Sequence, residues 1–163
     1  MALEQDIARI AEQERRLRFD GFDEETAWDL GVHLRALAVA RGVAVTIEVR
    51  LARETVFFCA MPGTSPANAD WARRKRNTVE LLGRSSYGVR CSLEVEGSSL
   101  EAKMGLPTRD YASHGGSMPI IATGGACIGT VTVSGLPQRD DHGMVVEALA
   151  AKCGVPLSEI GLA

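Results

Sequence analysis

The segment Asp110-Tyr111-Ala112-Ser113-His114-Gly115-Gly116 sets a carboxylate, a phenol, a hydroxyl and an imidazole immediately before two glycines. Paired glycines let backbone N–H groups approach a bound group closely and can form an anion-binding nest. An imidazole titrates near neutrality, so His114 is a candidate general base or ligand. The competing reading is structural: a tight entry into a strand, with Asp110 and His114 tying down backbone. Arg73-Arg74-Lys75-Arg76 is the one dense basic run. On a helix its four charges spread around the circumference and cannot all meet one ligand. A solvated or subunit-contacting face is the expected role for most of them; an Arg or Lys there, with Asn77 one turn from Arg73 or Arg74, would suit a small carboxylate. His142 follows Asp140 and Asp141 at a helix start, where the macrodipole disfavours imidazolium. It reads as a neutral cap or as a ligand.

Other chemistry is less well supported. Cys59, Cys91, Cys127 and Cys153 include no CxxC pair, and the histidines show no metal-ligand spacing, so reduced, buried thiols and no metal site are expected. No GxSxG, P-loop or GxGxxG occurs. No base is visibly paired with an activated nucleophile, which favours binding over catalysis.

Composition bounds the partners. The 163 residues suit one domain, and the net charge of −3 with a pI near 5.6 argues against a general nucleic-acid coat. Aromatics are only 5%, so the core should be Val, Ile, Leu and Ala. No segment approaches the roughly 20 apolar residues that span a bilayer. Residues 1–18 are charged throughout, unlike a signal peptide. A cytoplasmic protein without membrane association is the expectation.

The elements that must position these residues follow from periodicity. Residues 2–17 form a mostly charged helix with a sparse stripe of Leu3, Ile7, Ile10 and Leu17, suited to lie on the domain or on a neighbouring subunit. Asp23 caps a second helix that buries Ala27, Leu30, Leu34, Leu37 and Ala38 and stops at Gly42. Val43 to Arg50 alternates as a half-buried strand. Glu54 to Met61, nearly all apolar, reads as its central antiparallel partner. Residues 67–82 have helical spacing. Residues 85–97 alternate like a strand through Tyr87, Val89, Cys91, Leu93 and Val95. A short helix at 99–104 and a polar loop precede a hairpin, Met118–Thr123 and Ile128–Ser134, joined across Gly124-Gly125-Ala126. Asp140 and Asp141 cap a last helix that buries Val145, Val146, Leu149, Ala150 and Cys153. Strand pairs separated by helices give an α/β (α+β) domain with a mostly antiparallel sheet, not a Rossmann alternation.

Trp71, Arg74-Lys75, Asn77-Thr78, Ser85-Ser86-Tyr87, Asp110-Tyr111-Ala112, His114-Gly115-Gly116, Pro119-Ile120, Ile128-Gly129-Thr130, Val133 to Gln138 and Asp141-His142 occur in that order. In this the chain resembles the haem-degrading-domain (GlcG-like) proteins, and most closely their short stand-alone branch of unassigned reaction. The match runs from about Phe22 to Cys153. The resemblance implies a profilin-like fold, about five antiparallel strands with helices on both faces, assembled as a homo-oligomer. It also implies that residues 85–97 extend the preceding helix. Wider members bind haem or related tetrapyrroles, so haem is the implied cofactor, with His114 or His142 as axial ligand and Arg74 or Lys75 on its propionates. Three functions stay open: a small-molecule binding domain for a tetrapyrrole or carboxylated metabolite, a haem-degrading enzyme, and an oligomeric adaptor docking through the N-terminal helix. The expected ligand set is Arg74, Lys75, Asn77, Asp110, Tyr111, His114, Gly115, Gly116 and His142, with Arg74, Lys75 and His114 converging near the hairpin.

Overall fold

The computed structural model describes residues 2–163. Its elements are α1 (Ala2–Arg16), β1 (Arg18–Phe19), α2 (Glu24–Arg41), β2 (Thr46–Leu51), β3 (Glu54–Ala60), α3 (Pro66–Leu82), α4 (Ser86–Glu96), α5 (Leu100–Met104), β4 (Ser117–Ala122), β5 (Cys127–Ser134), α6 (Gln138–Cys153) and α7 (Leu157–Ile160). The strands form one five-stranded sheet in the order β1-β4-β5-β2-β3. The pairs β4–β5, β5–β2 and β2–β3 are antiparallel, while two-residue β1 runs parallel to β4. The sheet is therefore mixed, because the chain leaving α1 pairs at Phe19 before α2 begins.

The elements start and stop where the side chains dictate. Asp23 accepts from Thr26 N at 2.9 Å in a capping box, and Gly42 closes α2 in the left-handed conformation. On one sheet face α2 and α6 bury Leu30, Leu34, Val145 and Leu149 against Ile47, Val49, Val131 and Val133. Each such side chain contributes about 1.5–3 kcal/mol by leaving water. The opposite face, under α3, is polar: Thr46, Glu48, Thr130, Thr132, Ser134 and Ser117 are all buried. Glu48 is matched there by Arg76 at 3.1 Å, and Ser117 by Thr132 at 2.8 Å. Strand β2 is thus covered on both faces rather than half-buried.

Three sequence expectations need correction. Strand β3 is the sheet edge, paired only with β2, and its apolar run leaves Phe58 exposed instead of placing the strand centrally. Residues 86–96 form a helix, α4, and not a strand; it is a separate helix, since left-handed Gly83 ends α3 and Ser85 caps the new start by accepting from Gly88 N. Alternation misleads because Tyr87/Cys91 and Val89/Leu93 are also i,i+4 pairs. A helix packed on two sides, here against α1 and α6 and against α3, buries the same residues as a half-buried strand. The last helix is not capped by Asp140 and Asp141: it begins at Gln138 behind Pro137, and α7 follows it. α1 lies on α4 and α7 of its own chain, with Ile10 and Gln13 buried.

Candidate functional site

At the C-terminal end of β5, α3 and the start of α6 close on the loop that leads into β4. The knot there is Lys75, almost completely buried on α3. Its Nζ donates to Gly115 O (3.0 Å), Val133 O (2.7 Å) and Asp141 Oδ2 (3.2 Å). Asp141 in turn accepts from Gly135 N at 3.3 Å and Leu136 N at 2.9 Å. Burial pushes the Lys75 ammonium down and the Asp141 carboxyl up, and their mutual attraction opposes both shifts. One ion pair therefore ties α3, β5, α6 and the glycine loop together.

The loop glycines are spent on close approach. A Cβ on Gly115 would sit 2.4 Å from Gln138 O, and one on Gly116, at φ +131°, would sit 2.4 Å from Val133 O. The Gly115 N–H is already donated to Gln138 Oε1 at 3.1 Å. Both glycines thus allow close packing, and the Gly115 N–H is engaged within the chain.

Above this knot lies a cleft of about 240 Å³ lined by Asn68, Trp71, Lys75, His114, Gly115, Ser134, Gly135, Leu136, Gln138 and Asp141. Trp71 meets the His114 ring edge-on at 4.8 Å, and the Arg74 guanidinium covers the Trp71 ring at 4.3 Å. Burial, with Arg90, Lys75 and Arg74 nearby, holds the His114 imidazole below its usual range and so neutral. Its Nδ1 is buried and has no hydrogen-bond partner.

Of the residues singled out by sequence, Lys75, His114 and Gly115 line the cleft. Arg74 does not; it stacks on Trp71 and donates to Thr108 O at 3.0 and 2.5 Å. Asn77 donates to Asp110 O at 2.9 Å, and the Asp110 carboxylate pairs with Arg73 at 2.9 Å, so both are engaged in holding the loop. Tyr111 packs with Val89, Leu93 and Leu100. Gly116 lies under Val133 O, outside the cleft lining. His142 points into the core: fully buried, it donates from Nε2 to Gln13 Oε1 at 2.8 Å and meets Tyr87 ring to ring. Desolvation pushes its imidazole down to about 3. It is a core contact, not a ligand facing the cleft. Sequence reasoning passed over Asn68, Trp71, Ser134, Gly135, Leu136, Gln138 and Asp141 as lining residues. Trp71 and the run from Val133 to Gln138 were nonetheless visible as fixed small and polar motifs.

Comparisons with known proteins give a family from sequence and a fold from structure. A model of the haem-degrading HbpS-like family matches residues 22–150. A UPF0303 protein of Azotobacter vinelandii is 54% identical over 162 residues, covering 99% of this chain and 98% of its own. A UPF0303 protein of Paraburkholderia phymatum is 50% identical over 163 residues, covering 100% and 99%. Among solved structures, the Ybr137w protein superposes with a TM-score of 0.84 at 27% identity, over 91% of this chain and 87% of that one. HbpS superposes at 0.65 with 20% identity over 83% and 92%, and a PduOC:heme complex at 0.64 with 19% identity over 75% and 88%. These last two bear on the fold alone, and that fold is the mixed α/β sheet described above. By sequence, the chain belongs to the HbpS-like haem-degrading protein family.

Proposed function

We propose that the protein is a small-molecule binding member of this family, and that its ligand is a compact planar carboxylate seated in the Trp71–His114 cleft. The observation that carries the reading is the cleft itself, about 240 Å³ walled by the edge-on Trp71 and His114 rings with Asn68 and Gln138 beside them. Trp71 offers an aromatic surface, Gln138 and Asn68 offer amides, and Arg74 contributes positive charge from behind the indole. The Lys75–Asp141 pair forms a rigid, internally neutralised floor.

Size decides against enclosure of a whole tetrapyrrole. Pockets that bury drug-sized ligands run to about 300–1,000 Å³, and this cleft is 240 Å³. A macrocycle does not fit inside it. The second reading is haem held by one edge, with the neutral His114 and Arg74 facing it; the family description and the haem-bound PduOC neighbour favour that reading. Binding without turnover suits the site, since the cleft pairs no nucleophile with a base.

Titration with two probes separates the readings. Benzoate, a planar carboxylate, should bind with about millimolar Kd, as its small size allows, and should bind more weakly after Trp71→Ala. Haemin should give no Soret shift that depends on His114. A shift in wild type that His114→Ala abolishes supports the edge-bound haem reading. Absence of benzoate binding defeats the first.

A further inference from the structure

The polar groups lining the Trp71–His114 cleft are sorted by hydrogen-bond sense. Asn68 Oδ1 accepts from Ser65 N at 2.9 Å, and Gln138 Oε1 accepts from Gly115 N at 3.1 Å. A backbone N–H can only donate, so these bonds fix which end of each carboxamide is oxygen. Among the described residues neither Asn68 Nδ2 nor Gln138 Nε2 has a hydrogen bond, and both residues line the cleft. Asp141 adds no free acceptor, because Lys75 Nζ, Gly135 N and Leu136 N already occupy its two oxygens. Gly115 O is likewise taken by Lys75. A third group comes from the sheet. Ser134 on β5 is 3% exposed and lines the same cleft, and its hydroxyl has no partner among the described residues.

The backbone field has the same sense. α3 and α6 run 17 and 16 residues, and both start at the cleft: Asn68 stands in the first turn of α3, and Gln138 is the first residue of α6. Each helix N-terminus carries partial positive charge. Of the acids in the first turn of α6, Asp141 is paired with Lys75, and Asp140 lines a different cavity beside α1 and α7. A lone carboxylate brings two oxygens at one end, whereas Asn68, Ser134 and Gln138 come from α3, β5 and α6. A ketone oxygen beside the carboxylate gives the third group an acceptor and keeps the ligand flat against the Trp71 ring. An amino group on the same carbon turns hydrogens toward donors and brings positive charge to two helix N-termini.

Resting on the reading that this cleft holds a planar carboxylate, we propose that its ligands are small 2-oxo acids. The carboxylate and the oxo group are shared among Asn68 Nδ2, Gln138 Nε2 and the Ser134 hydroxyl.

Benzoate, benzoylformate, mandelate and phenylglycine are close in size and differ in the group beside the carboxylate. Each is titrated into the ¹⁵N-labelled full chain near neutral pH, followed by backbone signals and by the side-chain NH₂ signals of Asn68 and Gln138. Benzoylformate should bind about tenfold more tightly than benzoate or phenylglycine, with mandelate between, and should move both NH₂ signals. Inorganic phosphate, which meets the same donors without a flat face, should bind more weakly than benzoylformate. Ser134→Ala removes no hydrogen bond within the chain and should erase the gap between benzoylformate and benzoate. Gln138→Glu keeps an acceptor for Gly115 N but replaces the free donor with an anionic oxygen. It should abolish benzoylformate binding with an unchanged circular-dichroism melt. Benzoate binding without a preference for benzoylformate overturns the 2-oxo acid and leaves the carboxylate reading standing. Tighter binding of phenylglycine or phosphate than of benzoylformate also overturns it, as does a Ser134→Ala chain that keeps the full preference. Binding of none of the probes removes both readings.

Discussion

Removing one partner of the Lys75–Asp141 pair should be among the most damaging single changes in the molecule. Both side chains are only 3% exposed, and they meet at 3.2 Å. Asp141→Ala leaves the ammonium buried with only the carbonyls of Gly115 and Val133, and it also strips the acceptor from the N–H groups of Gly135 and Leu136. Breaking a buried pair this way costs about 3–5 kcal/mol. For a chain of this size that lowers Tm by roughly 6–20 °C. Lys75→Met should be milder, about 2–3 kcal/mol, because Asp141 keeps its two backbone donors. The double variant Lys75→Met/Asp141→Ala should lose less than the sum, with a coupling of at least about 1 kcal/mol. Urea denaturation of the four proteins measures each term. Single losses below about 1 kcal/mol, or strict additivity, would refute the view that this pair locks the floor of the cleft.

Two further outcomes follow from the same core. His142 has a folded-state pKa of about 3 against 6.5 ordinarily, so the unfolded chain binds the proton first. Its contribution is complete above pH 6.5 and is lost as pH falls, roughly 3 kcal/mol by pH 4.5; His142→Gln should flatten that slope in pH-dependent melts, and parallel profiles would contradict it. Gly116→Ala puts a methyl 2.4 Å from Val133 O at φ +131°. A loss of more than about 2 kcal/mol is expected in the same urea assay, and an unchanged midpoint would show that the loop is not packed as described.

The fold was legible wherever one local rule governed. Asp23, Gly42 and the four-residue spacing of Leu30 and Leu34 specify α2, and the alternation of Val131 and Val133 with Thr130 and Thr132 specifies β5. Pattern reading failed where tertiary context decided. The two-residue β1 has no periodicity to detect. The two-sided burial of α4 reproduces a strand's alternation, and β3 is apolar yet marginal in the sheet. In the cleft, the loop residues His114 and Gly115 were identifiable by type. Asp141 was visible only as a helix-start acid, because its true role depends on Lys75, 66 positions earlier. His142 shows the reverse: a residue type that suggests a ligand, placed by α1 and α6 in a sealed core.

The central claim is that the Trp71–His114 cleft receives a ligand, and ¹⁵N-resolved NMR during a benzoate titration tests it most directly. Shifts should be confined to the amides of Gly115, Gly135 and Gln138 and the Trp71 indole, and Trp71→Ala should remove them. Shifts scattered elsewhere, or none at tens of millimolar benzoate, would contradict the account.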